Sequence, residues 1–128
     1  MSETVVLVAD DDDDILLLVT TRLRRDGFDV ITAHDGEEAL ALVQERRPDV
    51  AVLDIGMPKL DGLEVLQKIR ADDTLDAIRV LLLTAKAQES DVQRGYEAGA
   101  DAYVRKPFSP SDLSARVREL ADSVRGSL

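Results

Sequence analysis

Val5-Val6-Leu7-Val8-Ala9-Asp10-Asp11-Asp12-Asp13-Asp14-Ile15-Leu16-Leu17-Leu18-Val19 decides the fold. Its opening apolar run lacks polar alternation, the pattern of a parallel strand covered on both faces by helices. Five aspartates follow without a spacer. Two carboxylates about 4 Å apart repel by roughly 1 kcal/mol in water, and by roughly 4 kcal/mol at the effective dielectric of a partly buried site. A divalent cation reverses that sign, and Mg²⁺ prefers such oxygen ligands. Acidic residues also suit the positive end of a helix, so Asp12, Asp13 and Asp14 are read as the first turn of the helix that follows. Asp10 and Asp11 are the ligand candidates, because open parallel sheets bind ligands at the carboxyl ends of their strands. A calcium EF-hand loop starting at Asp10 is excluded: it needs Gly where Ile15 stands and Glu where Thr21 stands.

Four more segments read as strands: Asp29-Val30-Ile31-Thr32-Ala33, Val50-Ala51-Val52-Leu53, Val80-Leu81-Leu82-Leu83 and Ala102-Tyr103-Val104. Between them lie helix-length stretches. The first runs over residues 14–25 and ends before Gly27. The second starts at Asp35-Gly36, turns Ala39, Leu40 and Val43 inward, and stops before Pro48. The third follows Gly62 and buries Leu63, Leu66 and Ile69. The fourth, over 90–98, has only Val92 and Tyr96 as larger apolar anchors, which predicts the most weakly held helix. In the last, Ser109 caps, Pro110 fits the first turn, and Leu113, Val117, Leu120 and Val124 recur at helical spacing. Five strands alternating with five helices make a three-layer α/β sandwich, doubly wound with right-handed crossovers.

At 128 residues the chain suits one domain, taken as 1–128 with a core over about 4–125. It has no cysteine, which fits a reducing compartment, and a cytoplasmic location is expected. Met1-Ser2-Glu3-Thr4 enters a strand at once without a basic region, and the apolar runs are too short to span a membrane, so no membrane insertion is expected. A net charge of −10 opposes direct binding to nucleic-acid phosphates.

The strand ends gather the chemistry. Asp10 and Asp11 follow the first strand, Asp54 the third, Thr84 the fourth, and Lys106 lies just beyond the fifth. In a doubly wound sheet these positions share one crevice. Taken singly, each has an ordinary role: a turn aspartate, a strand-end threonine, a solvated lysine. Gly56 and Gly62 let the loop after Asp54 turn tightly and present backbone groups. His34 ends the second strand, away from this set, and is read as structural. Nothing forms a serine or cysteine triad.

Val8-Ala9-Asp10-Asp11, Leu53-Asp54-Ile55-Gly56-Met57-Pro58 with Asp61-Gly62, Leu83-Thr84-Ala85 and Tyr103-Val104-Arg105-Lys106-Pro107-Phe108 together resemble the receiver domain of bacterial two-component response regulators, over nearly the whole chain. The resemblance implies strand order 2-1-3-4-5 and Asp54 as phosphoacceptor. It implies Mg²⁺, with Mn²⁺ as a substitute, held by Asp11, Asp54 and the Gly56 carbonyl, with Asp10 on a metal-bound water. Thr84 and Lys106 would contact the phosphoryl group, and Tyr103 would be the aromatic switch coupled to Thr84. The Lys106-Pro107 bond is expected to be cis. Departures from the family pattern are Ala9 in place of a valine, affecting only packing, and Gly56 in place of a larger side chain. Gly56 and Lys86 stand where family members control water access to the acyl phosphate, and Gly56 is expected to shorten its lifetime.

The implied function is a signalling switch that catalyses its own phosphorylation and dephosphorylation. Its partners would be a histidine kinase or histidine phosphotransfer protein upstream and an effector protein downstream, with homodimerisation through the fourth helix, fifth strand and last helix by family analogy. Two alternatives stand beside it. One is a non-phosphorylated adaptor. The other is a Mg²⁺-dependent phosphatase of haloacid-dehalogenase type with Asp10 as nucleophile, for which the chain lacks a cap domain and carries Asp14 where Thr or Val is expected.

Overall fold

Strands and helices alternate along the computed structural model, which describes residues 4–85 and 89–123, with the backbone alone for 89–92. β1 (Val5–Ala9), β2 (Asp29–Ala33), β3 (Val50–Asp54), β4 (Arg79–Thr84) and β5 (Ala102–Arg105) form one parallel sheet in the order β2-β1-β3-β4-β5. This is the doubly wound α/β fold and strand order that the resemblance implied. The helices are α1 (Asp13–Arg25), α2 (Gly36–Arg46), α3 (Gly62–Arg70), α4 (Glu89–Glu97) and α5 (Pro110–Asp122).

The unbroken apolar strands are explained by two cores, one on each face of the sheet. Leu7, Ala9, Ala51, Leu53, Val80 and Leu82 point to one face, where α2 and α3 contribute Ala39, Val43, Leu66 and Ile69. Val6, Val8, Val50, Val52, Leu81 and Leu83 point to the other, against Leu16, Val19 and Leu23 of α1 and Leu113 and Val117 of α5. Each fully buried Val or Leu contributes about 1.5–3 kcal/mol by leaving water.

Local signals set the helix starts. Asp12 caps α1, accepting from the N–H groups of Asp14 and Ile15 at 2.9 and 3.3 Å, while Asp13 and Asp14 occupy the first turn. Asp61 and Glu64 form a reciprocal capping box on α3. Ser109 caps α5 with Pro110 behind it. The Lys106-Pro107 peptide is cis.

Several elements differ from the sequence expectation. α1 and α4 each begin one residue earlier than expected. β3 and β4 run on to include Asp54 and Thr84, so both side chains are fixed by strand register. An unanticipated 3-10 turn, Asp73–Leu75, follows α3; Asp72 caps it and Leu75 drops into the core. Tyr96, expected to anchor α4, is instead 50% exposed and lies against Tyr103, with ring centroids 5.0 Å apart. Among the residues of α4 whose burial is described, the buried one is Gly95, where a Cβ would overlap the Tyr103 hydroxyl and stand 2.8 Å from Leu82 Cδ1. Lys86, Val124 and the side chain of Val92 lie outside the described residues. No helix among the described residues is long and apolar enough to cross a membrane.

Candidate functional site

Asp10 emerges from the end of β1 with its N–H bonded to the Ala33 carbonyl, and it is fully buried. Both carboxylate oxygens are engaged: Oδ1 accepts the Asp12 N–H at 2.9 Å and Oδ2 accepts Lys106 Nζ at 3.0 Å. Asp54 closes β3 at 6% exposure. Its Oδ1 accepts the Gly56 N–H at 3.3 Å and lies 3.3 Å from Lys106 Nζ. Among the described residues no hydrogen bond reaches Asp54 Oδ2, which lies 3.9 Å from where a Cβ on the exposed Gly56 would stand. Asp11 is exposed at the mouth. One carboxylate oxygen from each of Asp10, Asp11 and Asp54 lies within 4.8 Å of the others.

Thr84 ends β4 at 2% exposure, its hydroxyl donating to the Ala85 carbonyl at 3.2 Å. Backbone bonds from Ile55 N–H to Leu83 and from Lys106 N–H to Thr84 lace the three strand ends together. The structure thus brings together Asp10, Asp11, Asp54, Thr84 and Lys106, the whole set nominated from sequence. Tyr103 sits further along β5, beside Leu82 in register and against α4. His34 lies closer to this rim than expected, because it touches the start of α1. Its Nε2 is 3.3 Å from Asp13 Oδ1 and its backbone N–H donates to Glu38 Oε1, so it serves as a tie between α1 and α2.

The electrostatics follow from burial. Burial pushes the Asp54 carboxyl above the usual aspartate range, and the neighbouring Asp10 charge adds to this; Lys106 and the Gly56 N–H pull the other way without cancelling it. For Lys106, burial alone would disfavour the ammonium, but its hydrogen bond to Asp10 and the attraction of Asp54 and Asp10 outweigh that and raise its pKa. One ammonium against three acids leaves the cluster short of positive charge. An all-oxygen donor set of three hard carboxylates suits Mg²⁺. Asp10 is a poor candidate nucleophile, since it is fully buried with both oxygens bonded, whereas no hydrogen bond among the described residues reaches Asp54 Oδ2.

One exposed apolar surface escaped the sequence reading. Leu17 and Leu18 on α1 are 67% and 52% exposed, and Leu18 joins Ile15, Ala85, Lys106, Pro107 and Phe108 around an apolar hollow of about 380 Å³ beside the crevice. The signal was present: five consecutive apolar residues on a helix cannot all face one core.

A doubly wound sheet with acids, threonine and lysine converging at its carboxyl ends defines an α/β domain whose ligand crevice lies at the strand ends. Residues 6–118 match the family model described as the response regulator receiver domain, and the chain belongs to that family. It is 49% identical over 98 residues to the alkaline phosphatase synthesis transcriptional regulatory protein PhoP of Bacillus subtilis, covering 77% of this chain and 40% of the relative. It is 44% identical over 113 residues to the DNA-binding response regulator MtrA of Mycolicibacterium smegmatis, covering 88% and 48%. The chain therefore spans less than half the length of these relatives. Among solved structures it is similar to the receiver domain of Francisella response regulator 1452, with TM-score 0.86, 37% identity and coverage of 93% and 97% of the two chains.

Proposed function

We propose that this receiver domain accepts a phosphoryl group on Asp54 from a phosphohistidine and thereby switches a protein-binding surface. The observation that carries this reading is Lys106 Nζ bridging Asp10 Oδ2 and Asp54 Oδ1 at 3.0 and 3.3 Å while no hydrogen bond among the described residues reaches Asp54 Oδ2. Asp11, Asp54 and the Gly56 carbonyl would hold Mg²⁺, or Mn²⁺ in its place, with Asp10 oriented toward its water. When bound, the ion supplies positive charge against the transferring phosphoryl oxygens. Asp54 Oδ2 attacks phosphorus as the bond to the donor imidazole breaks, and the electron pair of that bond returns to the ring nitrogen. Lys106 pairs with a phosphoryl oxygen, stabilising charge that develops in the transition state.

The product gains acceptor oxygens and up to about one more negative charge than the carboxylate had. The Thr84 hydroxyl, now turned to the Ala85 carbonyl, would reorient toward the phosphoryl group, and Tyr103 would follow. The result is a shift between two populations, read on α4, β5 and α5 by an effector protein or a second copy of the chain. The exposed hollow of Leu18, Ile15 and Phe108 borders Lys106, and there a histidine kinase or phosphotransfer protein would bury its own apolar surface while delivering the phosphoryl group. With a net charge of −10, the domain itself would not be the nucleic-acid-binding part of a transcriptional regulator. We also infer a single receiver unit working in the cytoplasm.

The test is incubation with acetyl phosphate and Mg²⁺ followed by mass spectrometry. A gain of about 80 Da on Asp54, the mass of a phosphoryl unit, and its loss in Asp54→Asn, are the expected results. Phosphate on Asp10 would instead favour the phosphatase alternative, and full partner binding by Asp54→Asn would favour the adaptor.

A further inference from the structure

We propose that Gly36, the first residue of α2, is a positioning residue for the loop that carries the Gly56 carbonyl, and so for the metal affinity of the crevice. The proposal rests on the Mg²⁺ reading above. Residues 55–61 leave β3 and return into α3. Their inner side is fixed by the sheet: Ile55 donates to the Leu83 carbonyl at 3.0 Å and accepts the Gly62 N–H at 3.1 Å. Their outer side is held by α2. Three consecutive loop residues meet three consecutive residues at the start of that helix. The Pro58 carbonyl accepts the Gly36 N–H at 3.3 Å. Lys59 Nζ lies 3.4 Å from Asp35 Oδ2 and 3.8 Å from Glu37 Oε1. The Leu60 backbone packs directly on Gly36.

That last contact leaves no space. A Cβ at position 36 would stand 2.6 Å from the Leu60 carbonyl carbon and 2.5 Å from its Cβ, and would overlap the carbonyl oxygen. Both walls are backbone, so relief requires the loop or the helix to move. Gly56 itself is exposed, and among the described residues its one hydrogen bond runs from its N–H to Asp54 Oδ1 at 3.3 Å. Its carbonyl is placed by its buried neighbours Ile55 and Met57 on the inner side and, on the outer side, by what holds Pro58 to Leu60. Mg²⁺ tolerates little error, demanding near-octahedral ligands at about 2.0–2.1 Å. Groups that orient metal ligands change affinity by about 10–100-fold when altered. Asp10, Asp11 and Lys106 come from other elements, so moving this loop spoils one part of the site and leaves the rest standing.

Calorimetric Mg²⁺ titration of the full chain, with far-ultraviolet circular dichroism confirming the fold, tests this. Gly36→Ala should remain folded and bind Mg²⁺ about tenfold more weakly than wild type. Lys59→Asn keeps a residue suited to the left-handed backbone there, φ 69°, and removes the strap to α2. By charge alone, losing a cation near an acidic crevice would tighten Mg²⁺ binding; loss of positioning should weaken it by about tenfold, the low end of the range for ligand-orienting groups. Folded Gly36→Ala with wild-type affinity overturns the proposal. If Gly36→Ala does not fold, Lys59→Asn decides, and equal or tighter binding overturns it. A wild-type chain that takes up no Mg²⁺ overturns the metal-dependent function itself, and the positioning role with it.

Discussion

Asp54 is strained electrostatically by the same burial that equips it for chemistry. Its folded pKa lies above the ordinary 3.8, so as pH rises past that value the unfolded chain loses this proton before the native one does. The native state then binds more protons, and stability falls with rising pH across that window, leaving a deficit at neutral pH. Asp54→Asn without Mg²⁺ should therefore melt a few degrees higher than wild type at pH 7, with the gap closing below pH 3.8, as thermal scans across pH would show. Lys106 has the same sign of pH dependence in a different window: its raised pKa contributes stability that is present at neutral pH, in full below 10.5, and lost as pH climbs through the folded value. At Gly56 an added Cβ would meet nothing closer than Asp54 Oδ2 at 3.9 Å, so a side chain fits. Gly56→Arg should slow hydrolysis of the acyl phosphate several-fold by crowding the attacking water; an unchanged or faster decay of radiolabel would count against the open-face account. The identities of these residues were legible because each follows an apolar run that could only be a strand. The engagement of Asp10 Oδ2 was not legible, since it depends on a lysine 96 positions away.

Helices and strands were readable wherever caps and apolar periodicity agreed, as in α3 and α5. They were misread where a side chain's partner lies on another element. Tyr96 carries the right spacing to be an anchor, yet it is excluded from the core because Tyr103 fills the space over Gly95. α1 presents the inverse case, an apolar surplus left in solvent. Leu18→Glu should reduce phosphotransfer from a phosphohistidine protein at least tenfold, since a charge in a desolvated interface centre is severely penalised. It should leave acetyl phosphate labelling of Asp54 near wild type, and parallel time courses with both donors make the comparison. α1 is pinned to α5 where Ser114 Oγ donates to Asp26 Oδ2 at 2.5 Å, beside Arg22 at 2.9 Å. The Ser114 bond, then Arg22, holds the Asp26 carboxyl below its ordinary 3.8. This stability is present above 3.8 and disappears as pH falls through the folded value. Ser114→Ala should move the acid-unfolding midpoint upward in a circular dichroism titration.

Across the molecule, stability rests on two cores separated by one sheet, so truncation on either side should be similarly damaging. Leu53→Ala and Leu81→Ala, buried on opposite faces, should each lose about 2–5 kcal/mol in urea unfolding. The class of architecture followed from composition and alternation because apolar strands between amphipathic helices admit few other packings. β3 is the middle strand of five and is buried at every position from Val50 to Asp54. Its amide protons should be the last to exchange with deuterium. The residue that would receive the message is thus moored to the stillest timber of the hull. Whatever it announces must be carried by neighbours with room to swing, outward to the margin where β5 meets the surroundings.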